Sequence, residues 1–142
     1  MRALFDVNAL LAVFDRDHLH HSRVRMWWST NKKNGWATCP LTQNGFIRVM
    51  SQPGYPKPRP LADAIEVLRL GVTRPEHEFW VDNLSIVDPN TIDETQLLGP
   101  RQITDVYLLA LATRHGGRLV TFDKAIPITA VKGAKTDHLV VL

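Results

Sequence analysis

The sequence predicts an α/β sandwich, three layers deep, with a mainly parallel central sheet. Three observations lead there. Short apolar runs suited to buried strands alternate along the chain with longer segments of helical periodicity, the pattern of strand-helix-strand units. The length, 142 residues, is about one domain's worth and is enough to bury one sizeable core. Hydrophobic residues make up 44% and charged residues 22%, a globular mixture far from that of disordered segments. A single domain over residues 1–142 is the expectation, with no internal repeat and no low-complexity tract.

The elements follow in order. ALFDVNALLAV reads as an apolar strand ending near Asp6, then a helix capped by Asp6 or Asn8. HLHHSRVRMWWSTNKK places Val24, Trp27 and Trp28 at helical spacing with basic residues between them, an amphipathic helix with its basic face outward. Trp36 to Cys39 is a second strand. Pro40 to Met50 opens like a helix, with proline in the first turn, Phe46, Val49 and Met50 on one face, and Gln43 near the start. SQPGYPKPRP is too rich in proline and glycine for helix or central strand and reads as a surface loop. Leu61 to Leu70 is helical again, and Phe79-Trp80-Val81 with Leu84 to Val87 gives one or two short extended pieces. The clearest element is the helix from Ile103, with Thr104 as its expected cap, Asp105 in its first turn and Gly116-Gly117 as its stop. Arg118 to Asp123 is a buried strand ending in another acid, and His138 to Leu142 closes as a strand.

Composition removes several function classes. No apolar run approaches the roughly 18 to 20 residues that cross a bilayer, and the apolar N-terminal stretch contains an acid, which disfavours a signal peptide. Cys39 is the only cysteine, so thiolate zinc and iron-sulfur sites lack ligands and a reducing cytosol is expected. Following WAT in a buried strand, Cys39 reads as packing rather than as a nucleophile. The net charge of +3 is unevenly spread, because residues 1 to 60 carry nine Lys or Arg against three acids. Such a basic half suits a polyanionic partner. Neither GxSxG, GxxxxGK[ST] nor GxGxxG occurs, which disfavours a serine hydrolase and the common nucleotide-binding domains. A signalling receiver would need an acid after its middle strand, and WATCPLTQ offers none.

In open parallel sheets, function collects beyond the carboxyl ends of the strands. Asp6 ends the first strand, Gln43 follows the second, Asp105 opens a helix, and Asp123 ends the strand after that helix. One acid in such a place is usually a helix cap. Three on one edge repel and raise each other's pKa, a conflict that a divalent cation relieves. Oxygen ligands select Mg²⁺ or Mn²⁺, and Mg²⁺ characteristically works with phosphates, so the expected chemistry is phosphodiester hydrolysis by cation-activated water. Asp105 also sits where the helix dipole favours negative charge.

The blocks LFDVNALLAV, HLHHSRVRMWW, LTQNGFIRVMS and GPRQITDVYLLALATRHGGRLVTFD resemble a PIN domain, and more narrowly the VapC-type toxins of bacterial toxin-antitoxin pairs. The likeness runs over essentially the whole chain. It implies a Rossmann-like sandwich, a Mg²⁺-dependent endoribonuclease, a small VapB-type antitoxin as partner and a homodimer. Asp6, Asp105 and Asp123 match the family's acids, and Asn8 matches the polar residue after the first. One position departs: where the family commonly carries glutamate after the second strand, this chain has Gln43, which adds no charge and cannot act as a base. That implies weaker cation affinity and makes an inactive scaffold binding RNA or protein the second reading. Asp93 and Glu94 are the acids that would have to substitute, and their loop position before Gly99-Pro100 argues against it.

Other residues are weighed against plainer roles. Thr104 and Thr121 adjoin two of the acids and are expected to cap or orient them. His18, His20 and His21 could offer HxxH spacing to zinc on a helix, with solvation or RNA contact the simpler reading. Trp27 and Trp28 read as core rather than as base-stacking platforms. Arg48, about one helical turn beyond Gln43, suits a phosphate or an acid equally, and Arg23 and Arg25 on the basic helix are candidates for RNA backbone contacts.

Overall fold

The computed structural model describes residues 1–142. Five strands, β1 (Ala3–Phe5), β2 (Trp36–Thr38), β3 (His77–Phe79), β4 (Arg118–Thr121) and β5 (Leu139–Val141), form one sheet in the order β3-β2-β1-β4-β5, every pairing parallel. Helices α1 (Val7–Phe14), α2 (His21–Asn31), α3 (Pro40–Ser51), α4 (Leu61–Val72) and α5 (Ile103–Arg114) supply the crossovers that parallel neighbours require.

Side chains alternate across each strand, so the two faces of the sheet build two cores. Ala3 and Phe5 of β1, with Trp36, join Leu10, Val24, Phe46, Met50 and Leu68 from α1 to α4. Leu4, Ala37 and Leu119 face the other way onto Val106, Leu109 and Leu111 of α5 and onto Trp80. Trp27 and Trp28 pack edge-on against Phe5, 6.1 and 5.8 Å between centroids, as core residues at helical spacing should. Cys39 is fully buried, and burial pushes its thiol pKa up, in keeping with a packing role.

Two neighbouring glycines end α5 and start β4 for different reasons. Gly116 takes a left-handed φ of 63° that stops the helix. Gly117 is where the chain slips between β1 and Trp80: a Cβ there would lie 2.6 Å from the Trp80 ring and 2.7 Å from the Arg2 carbonyl oxygen. That carbonyl accepts the Arg118 N–H at 2.9 Å, the hydrogen bond that starts the β1–β4 ladder.

Four expectations need correction. The third strand is His77–Phe79 rather than Phe79 to Val81, with Trp80 adding one hydrogen bond to the Thr38 carbonyl. Leu84 to Val87 is not a strand; Leu84 and Ile86 imitate alternation by packing onto the α5-side core without a neighbouring strand. Thr104 does not cap α5, because the turn Pro100–Gln102 runs straight into the helix and puts Thr104 inside its first turn. His18 and His20 precede α2 instead of lying on it, so HxxH on a helix does not arise. The loop at 52–60 contains no helix or strand, as its composition predicts. No helix is long and apolar enough to cross a membrane.

Candidate active site

The strand order reverses direction at β1, since β2 lies on one side and β4 on the other. The crevice above β1 and β4 is therefore the switch point at which open parallel sheets bind ligands. A cleft of about 470 Å³ opens there, lined by Asp6, Val7, Asn8, Leu11, Val49, Thr104, Asp105, Leu108, Phe122 and Asp123. Three carboxylates meet on this wall, and no Lys, Arg or His belongs to it.

Each acid reaches the cleft by a different local device. Asp6 continues β1 by donating its N–H to the Val120 carbonyl at 3.0 Å, then caps α1 by accepting the Ala9 N–H at 2.6 Å. Of the two caps considered, the structure uses Asp6, and Asn8 lies within the helix. Asp123 accepts the Ala125 N–H at 2.8 Å and so holds the turn after β4. Thr121 sits between these two: its hydroxyl accepts the Asp123 N–H at 2.9 Å and lies near enough to the Asp6 carboxyl to counter part of the rise in its pKa. Asp105 caps nothing. It stands half-buried in the first turn of α5 with no hydrogen bond to its carboxylate.

Burial, followed by the charges of Asp6 and Asp123, raises the Asp105 pKa to about 6. Burial also raises that of Asp6 and outweighs the hydrogen bonds from Thr121 and Ala9; the Asp123 charge adds to the rise. No three His, Cys, Asp or Glu side chains close up as a ready ligand cage. An open wall of carboxylates nevertheless fits Mg²⁺, which takes one or two of them and keeps several waters.

The remaining candidates lie as follows. Thr104 is exposed on the cleft wall beside Asp105. Gln43 is not on that wall; its Nε2 donates to Thr38 Oγ1 at 2.9 Å, and Thr38 Oγ1 pairs with His77 Nε2 at 2.8 Å. Arg48 is exposed one residue before Val49 of the wall. Arg23 donates to the Leu142 carbonyl at 3.3 Å, and Arg25 lines a separate cavity with Trp28, Trp36 and Gly71. Asp93 accepts from Thr95 in its own turn and lines a third cavity with Glu94, so neither joins the three acids. Sequence reasoning missed Phe122, which lines the cleft and packs 4.4 Å from His20. Its place directly before Asp123 was the available signal.

The environment of Gln43 leads to a prediction. Thr38 Oγ1 accepts from the Gln43 amide, which leaves its own hydroxyl proton to go to His77 Nε2. Glutamate at position 43 cannot donate; Thr38 would turn its hydroxyl to the carboxylate, and His77 Nε2 would have to carry a proton to keep its bond, beside a new negative charge that favours the imidazolium. Gln43→Glu is expected to raise the His77 pKa, now held below its usual value mainly by burial, by about one unit. An NMR titration showing no rise would break the inferred chain of donors.

The profile of the PIN domain family matches residues 3–132. The chain is 53% identical to Ribonuclease VapC44 of Mycobacterium tuberculosis (strain ATCC 25618 / H37Rv) over 142 residues, 100% of both chains. It is 45% identical to Ribonuclease VapC38 of that strain over 135 residues, 94% of each. With Ribonuclease VapC39 of the same strain it shares 37% over 134 residues, 94% of this chain and 96% of the other.

Proposed function

The chain belongs to the PIN domain family, and from that premise we propose that it is a Mg²⁺-dependent endoribonuclease, one PIN domain over residues 1–142, acting in the cytosol as the toxin of a toxin-antitoxin pair. A small VapB-type antitoxin and a second copy of the chain are its proposed protein partners. The observation that carries this reading is Asp105. A half-buried carboxylate without a hydrogen bond, facing two other carboxylates, costs stability and does nothing for the fold, which is the signature of a functional group.

In this reading Asp6, Asp105 and Asp123 hold the cation, Mg²⁺ or Mn²⁺. When bound, the cation supplies the positive charge that lets a phosphate approach three carboxylates and makes water a stronger acid. Thr121 fixes Asp6 and Asp123 relative to each other, and Thr104 and Asn8 offer neutral polar groups to the substrate. Gln43 contributes no charge and lies off the wall, bonded to Thr38. Purified protein and single-stranded RNA, incubated with Mg²⁺ and then with chelator, test the proposal: cleavage only with Mg²⁺ is expected. RNA binding without cleavage would favour the inactive scaffold.

The basic half supports RNA as substrate, and the fold ranks its members. Lys57 pairs with Asp17 at 3.1 Å, and Tyr55 donates to Asp15 at 2.6 Å, so the proline-rich loop is fastened to the segment that carries His18 and reaches Asn8 of the cleft. Arg25 and Lys32 face another cavity. With Ca²⁺ in place of Mg²⁺, changing Lys57 and Arg59 to Ala is expected to flatten the salt dependence of RNA affinity by about 0.7 in slope for each phosphate no longer neutralised. The Arg25 and Lys32 pair should leave it unchanged. Equal effects of the two pairs would reduce the basic half to a general surface property.

A further inference from the structure

The histidine cluster, which the proposed cation site does not use, has a defined hydrogen-bond polarity. The His20 backbone N–H donates to His18 Nδ1 at 3.1 Å, so that nitrogen carries no proton. The proton of the neutral ring is therefore on Nε2, which lies 3.0 Å from Asn8 Oδ1. A backbone N–H can only donate, and this one fact settles both the His18 tautomer and the orientation of the Asn8 amide. The oxygen of Asn8 is taken by His18, and its NH₂ is left for the cleft. Phe122 keeps the ring in place, stacked at 20° and 6.3 Å from His18 and packed against His20.

We propose that His18 is a positioning residue that turns the Asn8 amide so that its NH₂ forms a phosphate-oxygen subsite on the α1 side of the cleft. This rests on the reading of the cleft as a nuclease site. Every charged group on the wall is a carboxylate, and Asn8 is the only lining side chain with an N–H donor. Without His18 the amide can flip and present its oxygen, which repels the same phosphate.

The test pairs His18→Phe, which keeps a ring against Phe122 but has no donor, with His18→Gln, whose amide N–H restores one at similar reach. His18→Phe and Asn8→Ala should each lower kcat/KM for single-stranded RNA by about tenfold to a hundredfold, the size of one hydrogen bond to a charged acceptor. The double variant should be no worse than either single one, and His18→Gln should recover most of the loss. Multiplicative losses, or no recovery with Gln, would overturn the proposal. A second readout does not depend on cleavage. With a 2′-O-methyl RNA oligonucleotide and Ca²⁺, the Asn8 side-chain amide resonances should shift in wild type and His18→Gln but not in His18→Phe. Absence of that shift in wild type, or a His18 ring protonated on Nδ1 in the free protein, would remove the subsite. Lack of Mg²⁺-dependent cleavage would instead fail the nuclease reading and leave the resonance result to decide on His18.

Discussion

Asp105→Asn is expected to slow Mg²⁺-dependent RNA cleavage by on the order of a hundredfold or more and, without cation, to make the folded protein more stable at neutral pH. The first effect follows because even groups that only orient a cation's ligands commonly contribute tenfold to a hundredfold, and a ligand should exceed them. The second follows from the carboxyl's pKa of about 6 against an ordinary 3.8. Below about pH 4 both folded and unfolded forms are protonated and Asp105 carries no penalty. Between about 4 and 6 the unfolded chain gives up its proton first, so wild-type stability falls with pH; above 6 the penalty is fully present. Asparagine does not ionise. The stability difference between variant and wild type should therefore open between pH 4 and 6 and stay constant above, reaching roughly 1 kcal/mol once screening of the partly open cleft is allowed for. His18 and His77, whose pKa values are lowered, titrate in both proteins and cancel in the difference. Urea unfolding across this range measures it. A difference that is absent or of opposite sign would mean that neither burial nor the neighbouring acids penalise the Asp105 charge, and undiminished cleavage would remove Asp105 from the site.

Gly117→Ala is expected to have the largest effect on the fold, about 3 kcal/mol of destabilisation. Its new methyl group would meet the Trp80 ring and the Arg2 carbonyl, and neither is the free end of a flexible chain. Making room moves β4 from β1 at the hydrogen bond that begins their ladder, and these strands carry Asp123 and Asp6 at their far ends. Gly116→Ala provides the contrast. Open space surrounds that position and only its left-handed φ resists, so about 1 kcal/mol is expected. Denaturation midpoints of the two variants check the ranking; equal losses would show that Gly117 is not tightly held.

Much of this was legible in the sequence because apolar period and chain order are local signals. ALF, WAT and RLVT are buried strands, and a helix beginning at Ile103 and stopped by Gly116 puts Asp105 in its first turn. Order alone then suggested that Asp6, Asp105 and Asp123 share an edge, and the cleft brings them together. What escaped depends on which side chains meet across elements. The Gln43 to Thr38 to His77 chain needs the diagonal approach of β2 and β3, and the separation of Arg25 from the cleft needs the placement of α2 across a cavity from α4. His18 resembled a helical residue because its neighbours do, whereas its partner, Asn8, is ten residues back across a turn. Thr104 had the right chemistry for a cap, but the Pro100–Gln102 turn had already started the helix.

The pairing of Ala3 with Arg118 and of Phe5 with Val120 has a consequence in time. Contacts between such distant residues form late, because loop closure must precede them. A chain still being made on a ribosome can set β2 beside β1 early but has no strand for the other edge of β1, the side that carries Asp123, until Arg118–Thr121 emerges. The carboxylates therefore cannot converge during most of synthesis, and whatever the cleft does begins only when the chain is nearly whole. Nascent chains stalled through C-terminal extensions of different length, so that Arg118–Thr121 lies inside or outside the ribosome, should show under limited proteolysis full protection of the N-terminal segment only when that strand is outside.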